Sequence, residues 1–135
     1  MNQNVWGKCG WVLIHSIAIN YPEKPSASEK EDTINFFNLL GKMLPCYYCR
    51  KHYVENLQIL PIQADSKIEL VWWTIDLHNL VNKSTGKQIL SREEALQKII
   101  SMYTEYPNNP EAYELLYIGI LILLFISVII IRRKI

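Results

Sequence analysis

The run Pro45-Cys46-Tyr47-Tyr48-Cys49-Arg50-Lys51-His52-Tyr53 holds the densest chemistry in the chain. A Cys-x-x-Cys pair at the start of a helix sets two sulfurs one turn apart, close enough to bond. The positive helix end and the neighbouring Arg50 and Lys51 favour the thiolate there. That is the hardware of a redox dithiol. The same spacing serves half a zinc site, and His15, His52 and His78 supply histidines for a Cys2His2 set, so the motif alone leaves dithiol and metal open. The histidine spacing weighs against metal. His52 closely follows Cys49, and His78 lies 26 residues further on, unlike the compact second pairs of zinc fingers and ribbons. No βαβ pattern surrounds the motif, so a thioredoxin-like reading also fails.

A second group of polar residues lies on Trp73-Thr74-Ile75-Asp76-Leu77-His78-Asn79-Leu80-Val81-Asn82. On a helix, His78 and Asn82 stand at i and i+4 with Asn79 beside them, so three polar groups share one sector of a largely apolar element. A solvent-facing polar edge explains that pattern equally well. Trp11 and His15 form a third pair at i and i+4 on an earlier helix, where a tryptophan more often fills a core.

The elements that must position these groups are helical. Breaks fall at 21–28, 61–66, 84–87 and 107–110, where prolines, serines and glycine collect. Between them the spacing predicts helices over about 5–20, from a cap at Ser28 to Leu44, from Cys46 to about Ile59, from Ser66 to about Asn82, and from Ser91 to about Tyr106. Ser66 with Glu69 and Ser91 with Glu94 are capping-box signatures. No alternating β run competes. The expectation is an all-α protein: a four-helix bundle plus a short fifth helix, followed by a C-terminal transmembrane helix.

That last helix rests on Leu115 to Ile131, seventeen residues without a charge, closed by Arg132, Arg133 and Lys134. Seventeen is at the short end of the roughly 17–25 residues that cross a bilayer. The layout is residues 1–108 as one domain, 113–131 as the membrane helix and 132–135 as a short basic tail. Without its three terminal cations the remaining chain carries a net charge of −2, so nucleic acid is not an expected partner. Met1 to Val5 carries no basic residue, and no secretory signal is expected there. About 105 residues make one small core, which a bound cofactor would help to fill. Three cysteines, Cys9, Cys46 and Cys49, are too few for a disulfide framework.

Taken in order, Trp11 to His15, Tyr21-Pro22, Cys46 to Tyr53, His78 to Asn82 and Gly86-Lys87 resemble the Erv/ALR family of FAD-linked sulfhydryl oxidases. The resemblance spans roughly residues 5–105, and the small size is most similar to members from large cytoplasmic DNA viruses. It implies a four-helix bundle holding FAD at its mouth beside a Cys46–Cys49 disulfide. Carried over by position, Trp11, His15, Tyr21, His52, His78, Asn79, Asn82 and Lys87 would contact the flavin nucleotide. Lys8 joins them with less weight, because its spacing is offset. The chemistry of these side chains agrees, since Trp and His rings stack, Asn amides donate and accept at ring edges, and Lys87 suits a pyrophosphate.

The implied activity is oxidation of thiols in a protein substrate to disulfides. A substrate thiolate attacks Cys46, Cys49 is released facing the flavin, and oxygen takes the electrons as hydrogen peroxide. A membrane-tethered zinc-binding adaptor using Cys46, Cys49 and histidines is the alternative. Two departures from the family matter. No cysteine pair follows Gly86-Lys87 to fasten the last helix, and no distal shuttle pair exists. Cys9 alone remains, either buried or idle, or joined by a disulfide to another subunit or to a partner. The expected electron donor is therefore a small thioredoxin-like carrier acting directly at Cys46. A homodimer is left open, and the expected setting is a single-pass, C-terminally anchored protein of a virion or host internal membrane.

Overall fold

The computed structural model describes residues 3–104 and 117–121 of the chain. Among them are five α-helices and no strand: α1 (Gln3–Ile19), α2 (Ala27–Met43), α3 (Tyr47–Ile59), α4 (Lys67–Ser84) and α5 (Arg92–Thr104). The chain divides into two compact units, Met1–Ile100 and Ser101–Ile135. In the second unit the described residues are the last turn of α5 and a helical stretch at 117–121. Most of the membrane helix expected at 113–131, and all of the basic tail, lie outside the described residues. Among the described residues no helix is long and apolar enough to cross a membrane.

Helices α2 to α5 each start where a side chain can satisfy a free N–H group of the first turn. The cap of α2 is Ser26 rather than Ser28. The Ser26 hydroxyl accepts from the Glu29 N–H at 3.2 Å, and the Glu29 carboxylate accepts from the Ser26 N–H at 2.7 Å. Ser28 has Glu31 at the same spacing, but the pair that closes is Ser26 with Glu29, and Ser28 lies inside the first turn of α2. Ser66 caps α4, and Ser91 exchanges bonds with Glu94 at the start of α5. The end of α4 is set by Gly86, whose φ of 67° is a conformation that side chains with a Cβ rarely adopt. Gly86 N–H bonds Lys83 O, and Lys87 N–H bonds Asn82 O at 2.8 Å, the paired closure of a Schellman turn.

Within Met1–Ile100, α1 packs along α4 and α2 along α3. One core draws on all five helices: Ile14 and Ala18 from α1, Phe37 from α2, Tyr53 from α3, Ile99 from α5 and five apolar residues of α4. The α4 contribution explains its poorly segregated sequence, since Leu70, Val71, Trp73, Ile75 and Leu77 are buried on more than one side of it. Phe37 meets Trp73 edge to face at 4.8 Å, joining α2 to α4. Tyr53 ties α3 to α2 by donating its hydroxyl to Phe37 O at 3.0 Å, and Gly41 lets the tyrosine ring lie against the α2 backbone.

The fifth helix is as long as α3 and is held without a disulfide. Asn79 on α4 straps the connection ahead of it, donating to Leu90 O at 2.8 Å and accepting from Leu90 N–H at 3.3 Å. Arg92 then grips Asp76 with two bonds, at 3.2 and 2.6 Å, and its guanidinium lies over Trp72. Ile99 closes the contact in the core.

Candidate active site

The Cys-x-x-Cys motif stands where α3 begins. Cys46 is the N-cap residue, and its Sγ accepts the Cys49 N–H at 3.3 Å. An N–H pointed at sulfur, together with the helix dipole, stabilises negative charge on Cys46. The flanking cations contribute less than their sequence proximity implies. Arg50 is half-buried and donates to Leu44 O at 2.6 Å, pinning the end of α2 to the start of α3. Lys51 pairs with Glu55 along the helix surface.

Above this turn lies an open cavity of about 470 Å³. Trp6, Gly10, Trp11 and Ile14 form its α1 wall; Leu40, Met43 and Leu44 come from the end of α2; Tyr48, Cys49, His52 and Tyr53 come from α3; Val81, Ser84, Thr85 and Lys87 close the far rim. The pair is thus split by its surroundings, with Cys49 on the wall and Cys46 at the cap. The Schellman turn at Gly86 delivers Lys87 to this rim, which explains why a glycine precedes the lysine.

Beside the cavity, α1 and α4 are joined through rings. Trp11 stacks on His78 with centroids 3.8 Å apart and planes 6° apart, and less closely on His15. His15 Nε2 lies 3.0 Å from His78 Nδ1, and His15 Nδ1 lies 3.2 Å from Thr74 Oγ1. Burial, with the His78 ring beside it, pushes the His15 pKa down to about 4. His78 is also pushed down to about 4, first by burial and then by the charges of Lys87 and Lys98. Both imidazoles are therefore neutral at pH 7.

The other sequence-derived positions are spread differently. Tyr21 is buried, with its hydroxyl donating to Ala64 O at 2.9 Å. Asn79 is committed to Leu90, so the sector shared by His78, Asn79 and Asn82 on α4 faces two neighbours: α1 through His78 and the chain before α5 through Asn79. Asn82 is half-buried in the last turn of α4 and takes part in the Gly86 closure through its carbonyl. Lys8 and Cys9 are exposed on α1. Trp6 was not legible as a site residue. Its Nε1 is buried without a hydrogen-bond partner among the described residues, on a side chain that lines the cavity. A lone tryptophan near the start of a helix carries no spacing signal that separates it from core.

The described residues include all three histidines and all three cysteines, yet no three His, Cys, Asp or Glu side chains among them converge as a metal site. His15 and His78 bond one another instead of turning toward the sulfurs, so the zinc alternative lacks its ligand set. A flat aromatic cofactor bearing phosphates fits better. The walls are apolar, Lys87 stands at the rim, and the Trp6 N–H waits for an acceptor.

The sequence model of the Erv1 / Alr family matches residues 8–103. A probable FAD-linked sulfhydryl oxidase R368 of Acanthamoeba polyphaga mimivirus is 36% identical over 121 residues, 87% of this chain and 83% of that protein. The FAD-linked sulfhydryl oxidase ERV1 of Arabidopsis thaliana is 38% identical over 64% of this chain, which spans only 46% of the plant protein. Among solved structures, the FAD binding domain of Erv1 from Saccharomyces cerevisiae superposes with a TM-score of 0.67 at 30% identity, covering 69% of this chain and 89% of that one. The matched span carries both motif cysteines and every ring and rim residue from Trp11 to Lys87, and the chain belongs to the Erv1 / Alr family.

Proposed function

We propose that this protein is a FAD-linked sulfhydryl oxidase that forms disulfide bonds in protein substrates. The observation that carries the reading is the placement of Cys49 on the wall of an apolar cavity whose rim bears Lys87 and His52, one helical turn from Cys46 at the α3 cap. Flavin-linked relatives from mimivirus, plants and yeast support it.

The dithiol supplies the first half of the reaction. A substrate thiolate attacks Sγ of Cys46 in the Cys46–Cys49 disulfide; the new S–S bond forms as the old one breaks, and Cys49 leaves as a thiolate into the cavity. A second substrate thiol, on losing its proton, attacks the substrate sulfur of the mixed disulfide. The substrate disulfide forms, and Cys46 leaves as a thiolate, held by the Cys49 N–H and the helix end. Two electrons now reside on the Cys46–Cys49 pair. FAD, when bound, accepts this electron pair and passes it to oxygen, giving hydrogen peroxide. With the cofactor filling the open cavity, the apolar walls would keep water from Cys49. Trp11 with His78, His52, Trp6 and Lys87 are the residues we assign to holding the cofactor; His15, Tyr21, Asn79 and Asn82 brace the helices around it, and Lys8 stands on the outer face of α1.

Partners and location follow the same reading. Met43, Tyr47 and Tyr48 are exposed around Cys46, which suits a docked protein thiol such as a thioredoxin-like carrier. Val12, Leu13, Phe36 and Leu39 are also exposed, and they support a homodimer. Residues 113–131 form a C-terminal membrane anchor in a virion or host internal membrane; the uncharged run, its three terminal cations and the viral relatives support this. The test is purification of the full chain in detergent. Flavin absorbance with the protein and oxygen uptake driven by a dithiol are expected. A folded protein that retains no flavin after reconstitution ends the reading.

A further inference from the structure

Thr74 is fully buried on α4 and is not part of the wall of the cavity beside Cys49, yet it begins a chain of hydrogen bonds that ends on a half-buried ring. Its hydroxyl has one proton, and that proton is committed. The hydroxyl lies 2.9 Å from Val71 O, a carbonyl that only accepts, so Thr74 donates there. Towards His15 Nδ1, 3.2 Å away, Oγ1 can then only accept, and His15 must carry its proton on Nδ1. A neutral imidazole has one N–H, so His15 Nε2 is a lone pair. It faces His78 Nδ1 at 3.0 Å, and that contact is a bond only if His78 also carries its proton on Nδ1. Reversing the protons along the chain would forfeit the bond to Val71 O. His78 Nε2 is left as a bare acceptor, with no protein partner among the described residues.

We propose that Thr74 is a positioning residue that acts through His15 to hold His78 as the Nδ1–H tautomer, so that Nε2 accepts a hydrogen bond from the amine or hydroxyl of a bound nucleotide. This rests on the flavin reading for the identity of the ligand, whereas the tautomer is a property of the protein alone. The consequence is a division of labour between Lys87 on the cavity rim and the Trp11–His78 ring pair, which reaches the cavity through Trp11. Lys87 is a charged donor and takes phosphate, while His78 is uncharged, presents no N–H on its open side and repels phosphate oxygen. The nucleotide is thereby oriented end for end: its phosphates lie towards Lys87, and a donor-bearing ring or sugar lies against Trp11 and His78.

The tautomers are read directly by nitrogen NMR of the histidine-labelled full chain in detergent, without flavin; only three histidines contribute. In the unsubstituted protein both His15 and His78 should show protonated Nδ1 and bare Nε2. A protonated Nε2 on His78 overturns the proposal, whatever any variant does. Thr74→Val leaves His15 Nδ1–H without an acceptor, so both rings should flip, turning His78 Nε2 into a donor, and the Kd for FAD should rise roughly tenfold or more. Thr74→Ser keeps the hydroxyl and should restore both the tautomers and the affinity. Unchanged tautomers in Thr74→Val overturn the relay, and flipped tautomers with unchanged FAD affinity overturn the ligand half. Failure of the unsubstituted protein to bind FAD, with the expected tautomers present, sinks the flavin reading and leaves the relay standing.

Discussion

Acidification from neutral pH should destabilise the flavin-free protein before most of its carboxylates titrate, because the folded chain keeps two imidazoles neutral. His15 and His78 ionise in the unfolded chain with the ordinary value of 6.5 and in the folded chain at about 4. At pH 5 an unfolded imidazole is almost wholly protonated and a folded one is mostly not. The difference in proton binding costs about 2 kcal/mol of stability for one ring. The rings share a hydrogen bond and titrate as a pair, so the total lies between about 2 and 4 kcal/mol, a large part of the 5–15 kcal/mol typical of a small domain. The sign follows from depressed folded values: the stabilisation is complete above pH 6.5, is lost as pH falls, and the loss levels off near pH 4. Lys87 and Lys98 face His78 and deepen the effect; Thr74 faces His15 as a neutral acceptor. Glu29 and Glu94 are held below the usual carboxylate range, first by the backbone N–H of Ser26 and Ser91, so their contribution fades only at lower pH. Urea unfolding at pH 7.5, 6.5, 5.5 and 5 measures the curve. Stability that stays flat from pH 7.5 to 5 would refute the reasoning, as would a His15→Gln, His78→Gln double variant with the same fall as the unsubstituted protein.

Further outcomes follow from the same geometry. Cys46→Ser and Cys49→Ser should each abolish dithiol-driven oxygen uptake, and only Cys46→Ser, which leaves the sulfur on the cavity wall, should add a long-wavelength absorbance to the bound flavin. Gly41→Ala would place a Cβ 2.8 Å from the Tyr53 ring; the gain of about 1 kcal/mol in helix propensity is outweighed by a packing penalty of about 1–3 kcal/mol, and thermal melts should show a net loss. Asn79→Ala strands the Leu90 N–H and carbonyl and should cost about 1–2 kcal/mol, with early exchange of α5 amides as its signature in hydrogen exchange. Cys9→Ser should retain most turnover on a small dithiol, since Cys9 is exposed on α1 and a single thiol cannot complete a two-electron relay; a loss as deep as that of Cys46→Ser would show that it takes part.

Much was already written in local pattern. The helices, the capping pairs Ser66–Glu69 and Ser91–Glu94, the stop at Gly86 and the dithiol at the start of α3 depend on residues a few positions apart, so their physics is local and readable along the chain. The order of motifs from Trp11 to Lys87 carried the family. Pairings across distance were not readable. Nothing in the spacing distinguishes Asn79, which straps Leu90, from His78, which stacks on Trp11, because adjacent residues on a helix point about 100° apart and only the packing of α1 and α5 decides what each one meets. Arg50 looked like a thiolate partner and became a clamp on Leu44, since its long side chain reaches whichever acceptor the end of α2 presents. Thr74 and Trp6 carried no signal in sequence; one matters through a proton it gives to its own helix, the other through an N–H that burial alone left without an acceptor.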